Sequence, residues 1–224
     1  MRSRYANSGM LLAAALVFGC EADPVVKPIE PPPSPANPTE FIEELENAYG
    51  RMDLDLYQSL FPEDAEAPFL FIVNEPDWGE PTNWDLDEEL RIHRRMFEPE
   101  NAVAGEDPVP SDLHLKAILI TLTPVGNWTE RFDLYASPIN PAGLDAARWR
   151  ATEALYQARV LWDMDADLDY LIDALQNFIV IEDLARPAGE ARKFLLYRWE
   201  DYGYGPQLSA TQMATWSQLK ALYR

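Results

Sequence analysis

The chain has 224 residues, of which 18 are basic and 38 acidic, giving a formal net charge of −20. A surface that acidic repels phosphate backbones and anionic lipid headgroups, which argues against nucleic-acid binding and peripheral membrane docking and leaves solubility as the simplest meaning of the charge. Hydrophobic residues make up 47% of the chain, with seven Trp and ten Tyr, which is too apolar for disorder and enough for one domain with a sizeable core.

The chain opens with Arg2 and Arg4, followed by an apolar run from Met10 to Phe18 and then Gly19 before Cys20, the only cysteine. The run falls far short of the roughly 20 residues that a spanning helix needs, so residues 1–19 read as an export signal. The ending Val17-Phe18-Gly19-Cys20 resembles the bacterial lipoprotein signal, although Phe18 is bulkier than that pattern usually has. The resemblance implies cleavage before Cys20 and lipidation of its thiol; the alternative is an ordinary secretion signal with a chance cysteine. Acyl chains contribute about 0.8 kcal/mol per buried methylene, so two or three of them hold a protein to a membrane. Glu21 in the next position resembles outer-membrane rather than inner-membrane sorting. Removing residues 1–19 takes away Arg2 and Arg4 and no acid, leaving 16 basic and 38 acidic residues, a net −22. With Cys20 acylated, no thiol remains for a disulfide, a metal or a nucleophile.

Residues 20–37 follow as a tether. Residues 21–38 hold seven prolines, including Pro31-Pro32-Pro33, and their fixed φ keeps the stretch extended. The folded part spans 38–224. Asn37 as cap, Pro38 in the first turn and Glu40 three residues on predict a helix bearing Phe41, Leu45 and Ala48 on one face, up to Gly50. Asp53 caps a second short helix with Leu56, Tyr57, Leu60 and Phe61, stopped by Pro62. Residues 68–73 read as a buried strand. Asp85, with Glu88 three later, starts a third helix whose stripe is Leu86, Leu90, His93 and Phe97, and Pro99 ends it. Residues 113–123 predict a strand, 138–145 a loop, and 193–202 a strand with Phe194, Leu196, Arg198 and Glu200 on one face against Leu195, Tyr197 and Trp199. Ser209 opens a final helix with Met213, Trp216, Leu219 and Leu222. Two segments fit both periods. Residues 148–162 alternate through Thr152, Ala154, Tyr156, Ala158, Val160 and Trp162 but are rich in alanine, and 168–182 combine helical spacing with the strand-like run Phe178 to Ile181.

The order of elements, together with the stretches Trp84 to His93, Gln176 to Asp183, Leu196 to Asp201 and Thr215 to Tyr223, resembles bacterial lipoproteins of the nuclear-transport-factor-2-like (SnoaL-like) superfamily over about residues 38–224. The resemblance implies an α+β fold with N-terminal helices packed in a curved antiparallel sheet, a cone, and a C-terminal helix. It also implies that 148–162 and 168–182 are strands and that a cavity opens at the wide end of the cone. Enzymes of that superfamily, isomerases and cyclases among them, place Asp, His or Tyr there as general base or donor. Their motifs do not map onto this chain, so no catalytic role transfers.

The chain's own candidates are few. His93 on the inner stripe is the one candidate base or donor, against the alternative of a structural histidine with a satisfied hydrogen bond. Tyr57, Leu90, His93, Tyr156, Trp162 and Trp199 are the expected pocket walls, and His114 beside Lys116 is expected to face solvent. Asp163, Asp165 and Asp167 alternate as hard-cation ligands would, but an EF-hand loop starting there needs Gly and Glu where the chain has Leu168 and Ala174, so an acidic turn is the simpler reading and no metal is expected. Arg91, Arg94 and Arg95 read as a solvated helix face pairing with Glu88 and Glu98. Asn127-Trp128-Thr129 matches a glycosylation acceptor that a bacterial lipoprotein has no use for. Two histidines exclude a multi-histidine metal site, and no metalloprotease, hydrolase, nucleotide or dinucleotide motif occurs. No cofactor is expected. Three readings stand: a lipid-anchored envelope module that binds a small apolar ligand or a protein partner without catalysis; an isomerase, dehydratase or cyclase using His93 or a buried carboxylate; and a structural envelope component that forms a homodimer through a sheet face.

Overall fold

A computed structural model describes residues 37–74, 82–101, 105–164, 169–187, 193–204 and 220–224. The expected export signal, Cys20 and the expected tether up to residue 36 lie outside the described residues, as do Asp165, Asp167 and the stretch from Ser209 to Leu219.

Helix α1 (Pro38–Arg51) starts as its cap predicts: Asn37 Oδ1 accepts from the amides of Thr39 and Glu40, and Asn37 Nδ2 donates to Glu40 Oε1 at 2.7 Å. The helix runs one residue past Gly50, and Met52, at φ 50°, closes it in the left-handed region by donating to Ala48 and Tyr49. Helix α2 (Leu54–Ser59) is capped by Asp53, and α3 (Leu86–Phe97) by Asp85, whose carboxylate accepts from the Glu88 amide at 3.1 Å. The inner face of α3 is rotated from the expected stripe. Glu89, Ile92, His93, Met96 and Phe97 are buried, whereas Leu86 and Leu90 are half-buried at its margin.

The strands are β1 (Leu70–Val73), β2 (Thr82–Trp84), β3 (Leu115–Pro124), β4 (Thr129–Glu130), β5 (Trp149–Met164), β6 (Asp169–Asp183) and β7 (Phe194–Tyr204). They form one unclosed sheet in the order β2-β1-β7-β6-β5-β3, with β4 on β5. The α+β expectation holds, and both ambiguous segments are strands, paired from Trp149↔Asp183 to Asp163↔Asp169. One pair departs from the antiparallel expectation, because β1 runs parallel to β7. No hairpin joins these two, so no turn dictates their direction.

The sheet curves around α1, which packs on β3 at one edge and also reaches β7. Alternation sends Ala154, Tyr156, Ala158, Val160 and Trp162 of β5, and Ile172, Ala174, Phe178 and Val180 of β6, into one core with the helices. Each fully buried large side chain contributes about 1.5–3 kcal/mol relative to exposure. The simple alternation expected for 193–202 fails at a bulge. The register shifts between Ile179 and Val180, so that Phe194, Leu196 and Trp199 enter the main core while Leu195 and Tyr197 face the other side.

That outer side carries a second, smaller core of Ala67, Leu134, Leu144, Trp149, Ala151, Ile179, Ile181, Leu195 and Tyr197. The loop predicted at 138–145 covers it. Leu144 is pinned between the Leu134 carbonyl and the Ala136 amide, each at 2.8 Å. A Cβ at Gly143 would lie 2.6 Å from Tyr135 backbone atoms, so only glycine allows this approach. Burial on both faces explains why β6 reads equally well as a helix: alternation disappears where neither face is wet.

Candidate functional site

Among the described residues, the places where polar groups gather include the interior where α3 meets the sheet and a groove on the outer face. In the interior, helical spacing stacks Glu89 and His93 one turn apart on the buried face of α3. Both are fully buried. His93 Nδ1 lies 2.9 Å from the Glu89 carbonyl oxygen, which can only accept, so Nδ1 carries the proton. Nε2 then accepts from the Tyr49 hydroxyl at 2.5 Å, and Tyr57 stacks on the ring with centroids 4.0 Å apart. The Glu89 carboxylate accepts from Tyr57 Oη at 2.5 Å and Lys220 Nζ at 2.6 Å through Oε1, and from Trp84 Nε1 at 2.6 Å through Oε2. Next to this cluster, Trp199 Nε1 donates to Gln176 Oε1 at 2.5 Å, and Gln176 Nε2 donates to Asp201 Oδ1 at 2.6 Å.

Burial sets the protonation states. It pushes His93 down to about 3, with Glu89 pulling the other way and Lys220 reinforcing the fall. Burial would raise the Glu89 carboxyl, but Lys220 beside it holds it below its usual range. Burial likewise brings Lys220 down to about 8, with Glu89 opposing, so both members of the pair are charged at neutral pH. The Tyr49 and Tyr57 hydroxyls are driven well above their usual range, first by burial and then by the Glu89 charge. A neutral imidazole with a basicity near 3 and both nitrogens engaged is a poor proton acceptor at pH 7.

The expected pocket residues are brought together only in part. Tyr57 and His93 touch, and Tyr49 bridges them to Trp199. Tyr156 is buried further along the sheet against Phe178 and Trp128, Trp162 packs beside Tyr223, and Leu90 sits at the core's edge. None of these side chains borders the grooves described below. Glu89, Tyr49, Trp84, Gln176, Asp201 and Lys220 were not anticipated. The usable signal was Glu89, four residues before His93 and therefore on the same helix face.

Elsewhere, His114 precedes β3 and is half-buried, with Nε2 3.0 Å from the Val109 carbonyl, so it does not face open solvent as expected. Arg91 pairs with Glu88 at 2.8 Å, but its other partner and that of Arg95 is Glu106 rather than Glu98. Asp163 is half-buried at the end of β5, while Asp165 and Asp167 lie outside the described residues. Among the described residues no three His, Cys, Asp or Glu side chains converge as a metal site would need.

The outer face holds an open groove of about 540 Å³, lined among others by Asn127, Arg131, Leu155, Leu175, Asn177 and Tyr202. Strand register builds it, because outward residues of β5, β6 and β7 stand side by side. Asn177 Nδ2 donates to Glu153 and Glu200, each at 3.0 Å, Arg131 Nη1 donates to Glu153 at 2.5 Å, and Tyr202 Oη donates to Glu200 at 2.8 Å. Burial and the Glu200 contact push the Tyr202 hydroxyl up to about 12. The groove therefore offers apolar Leu155 and Leu175 beside a fixed polar row.

No family model matches the sequence, and no curated protein matches it. Among the solved structures that share part of its backbone arrangement are the following two. One is a proposed aromatic ring hydroxylase of Novosphingobium aromaticivorans, 10% identical, with 75% of this chain and 87% of that chain covered and a TM-score of 0.42. The other is the beta subunit of a proposed aromatic-ring-hydroxylating dioxygenase of Novosphingobium aromaticivorans DSM 12444, 12% identical, with 79% and 93% covered and a TM-score of 0.41. Likeness at this level says nothing of chemistry.

Proposed function

We propose that this chain is a lipid-anchored module of the cell envelope that binds a small, mainly apolar ligand in the outer groove of its sheet and does no chemistry on it. The observation that carries the reading is the contrast between the two polar places. In the interior His93, Glu89 and their partners are fully buried and engaged with one another, whereas the groove is open and has the volume of a small-molecule site. The address rests on Cys20 at the end of the export signal and on the proline tether after it. Native mass spectrometry of the detergent-extracted full chain tests ligand and lipid together. The expected spectrum shows acylated Cys20 and a retained small molecule that Leu175→Arg abolishes. An acylated protein with no ligand that survives extraction, or one that Leu175→Arg leaves in place, refutes the groove. Membrane fractionation of Cys20→Ser should move the protein to the soluble fraction, and an unchanged pattern refutes the anchor.

A second reading has one observation of its own. Leu119 and Leu161 are neighbours on adjacent strands of the outer face and are 62% and 41% exposed. Exposed apolar pairs on a sheet face favour association, so a homodimer through that face is the alternative, and the same spectrum reads it as a doubled mass.

A further inference from the structure

The interior pair has a feature that the outer groove does not share. Lys220 Nζ sits 3.9 Å from the centroid of the Phe71 ring, 4.3 Å from Trp199 and 5.7 Å from Trp84, with the Glu89 carboxylate at 2.6 Å. Aromatic faces around a cation, with the Glu89 carboxylate against it and the Asp201 charge acting on it as well, form the arrangement that recognises ammonium ligands. Among the described residues the walls come from α3 and the sheet. Glu89 also accepts from Tyr57 Oη, on α2, and from Trp84 Nε1. The occupant comes from elsewhere, the last five residues of the chain.

Those residues close the cage. Tyr223 is buried beside Trp162 and donates from Oη to the Leu113 carbonyl at 2.6 Å, and Arg224 Nε pairs with Glu88 at 2.7 Å over the Trp84 ring. An open groove of about 460 Å³ shares Trp84 with the cage and is lined by Asp85, Asp87 and Glu88 together with Arg91 and Arg224, both of which pair with Glu88. The net charge of the chain, −20, favours cations over anions at its surface. As a plug alone, a buried ammonium is a poor choice, because apolar residues of similar volume seal an interior as well or better.

We propose that Phe71, Trp84, Trp199 and Glu89 form a binding site for a small alkylammonium compound, and that Lys220 occupies it in cis as a stand-in for that ligand. This goes beyond the outer groove, with which it shares no residue, so either can fail alone. In Lys220→Ala the cage is vacated with its walls intact; in Lys220→Met it stays filled by an uncharged stem. Titration of n-propylammonium chloride into the full-length variants in detergent, followed by tryptophan fluorescence with sodium chloride as control, should show saturable binding to Lys220→Ala about tenfold tighter than to Lys220→Met. The same ligand should raise the melting temperature of Lys220→Ala alone. Equal responses in the two folded variants, or none beyond the sodium control, overturn the proposal. If Lys220→Ala does not fold, the native chain decides. Tetramethylammonium should increase reductive dimethylation of Lys220 read by peptide mass, and Lys220 labelling that does not change with tetramethylammonium overturns the proposal equally.

Discussion

Lowering the pH from 7 to 5 should destabilise this protein through His93 above all. His93 is neutral in the fold down to about 3, whereas in the unfolded chain it titrates near its ordinary 6.5. Between these values the unfolded state binds a proton that the folded state refuses, so stability is complete above 6.5 and falls as the pH drops through it. With those two values the loss at pH 5 is about 2 kcal/mol, and at pH 4 about 3 kcal/mol. For a domain of this size that moves the urea midpoint by roughly 1 M at pH 5. Glu88, held at about 2 by Arg91, adds its own loss only below its ordinary 4.5. The assay is urea unfolding by tryptophan fluorescence at pH 7, where Lys220 is already charged, and at pH 5, on the native chain and on His93→Gln, which has no imidazole to titrate. The native chain should weaken and the variant should not. The chain has only two histidines, so imidazole NMR is readable as well: one ring should stay neutral at pH 5. Parallel losses in native and variant protein, or two imidazoles both protonated at pH 5, refute the reasoning.

Three further outcomes follow from named contacts. Lys220→Met strands the Glu89 charge and should cost about 3–5 kcal/mol, most of it recovered in Glu89→Gln/Lys220→Met; urea unfolding of both shows whether the singles and the double combine as a coupled pair must. Gly143→Ala forces Leu144 out from under Tyr135 and should lower stability by about 1–3 kcal/mol, with the loss visible as faster amide exchange at Ala136 and Leu144. Asp85→Ala removes the cap of α3 and should cost about 1 kcal/mol in the same unfolding assay, with Asp85→Asn close to native.

How far the sequence could be read depended on the reach of each interaction. The starts of α1, α2 and α3 were legible because a cap acts within three residues, and Asn37, Asp53 and Asp85 all serve as expected. Strands β5 and β6 were not decided locally. Alternation in β5 was visible, but β6 is apolar on both faces where the loop around Leu134 and Leu144 covers it, and only the family resemblance chose the strand. The bulge at Tyr197 could not be seen in the sequence, since a register shift depends on the facing strand. Glu89 was missed for a related reason. A local pattern places a charge outside, and the partner that permits its burial is 131 residues away. The outer groove shared that fate: Glu153, Leu155, Asn177 and Tyr202 become neighbours only once β5, β6 and β7 are aligned.

The buried face of α3 carries a carboxylate, Glu89, where an apolar side chain would ordinarily pack. A helix with a purely apolar stripe would pack on this sheet without any need for Tyr57, Trp84 or Lys220 to satisfy a carboxylate. With Glu89 at the centre of the stripe, its buried charge is balanced by the Lys220 ammonium at 2.6 Å. The fold has therefore tied the closing of its core to the electrostatic match between α3 and whatever positive group sits among Phe71, Trp84 and Trp199. Local rules and the global fold disagree at this one turn of helix, and such disagreements concentrate where a structure serves something besides its own stability. The Glu89–Lys220 cycle and the ammonium titration measure the two sides of that match. If Glu89→Leu/Lys220→Leu proved less stable than the native chain by several kcal/mol, the pair would be plain structure and the disagreement would need another cause.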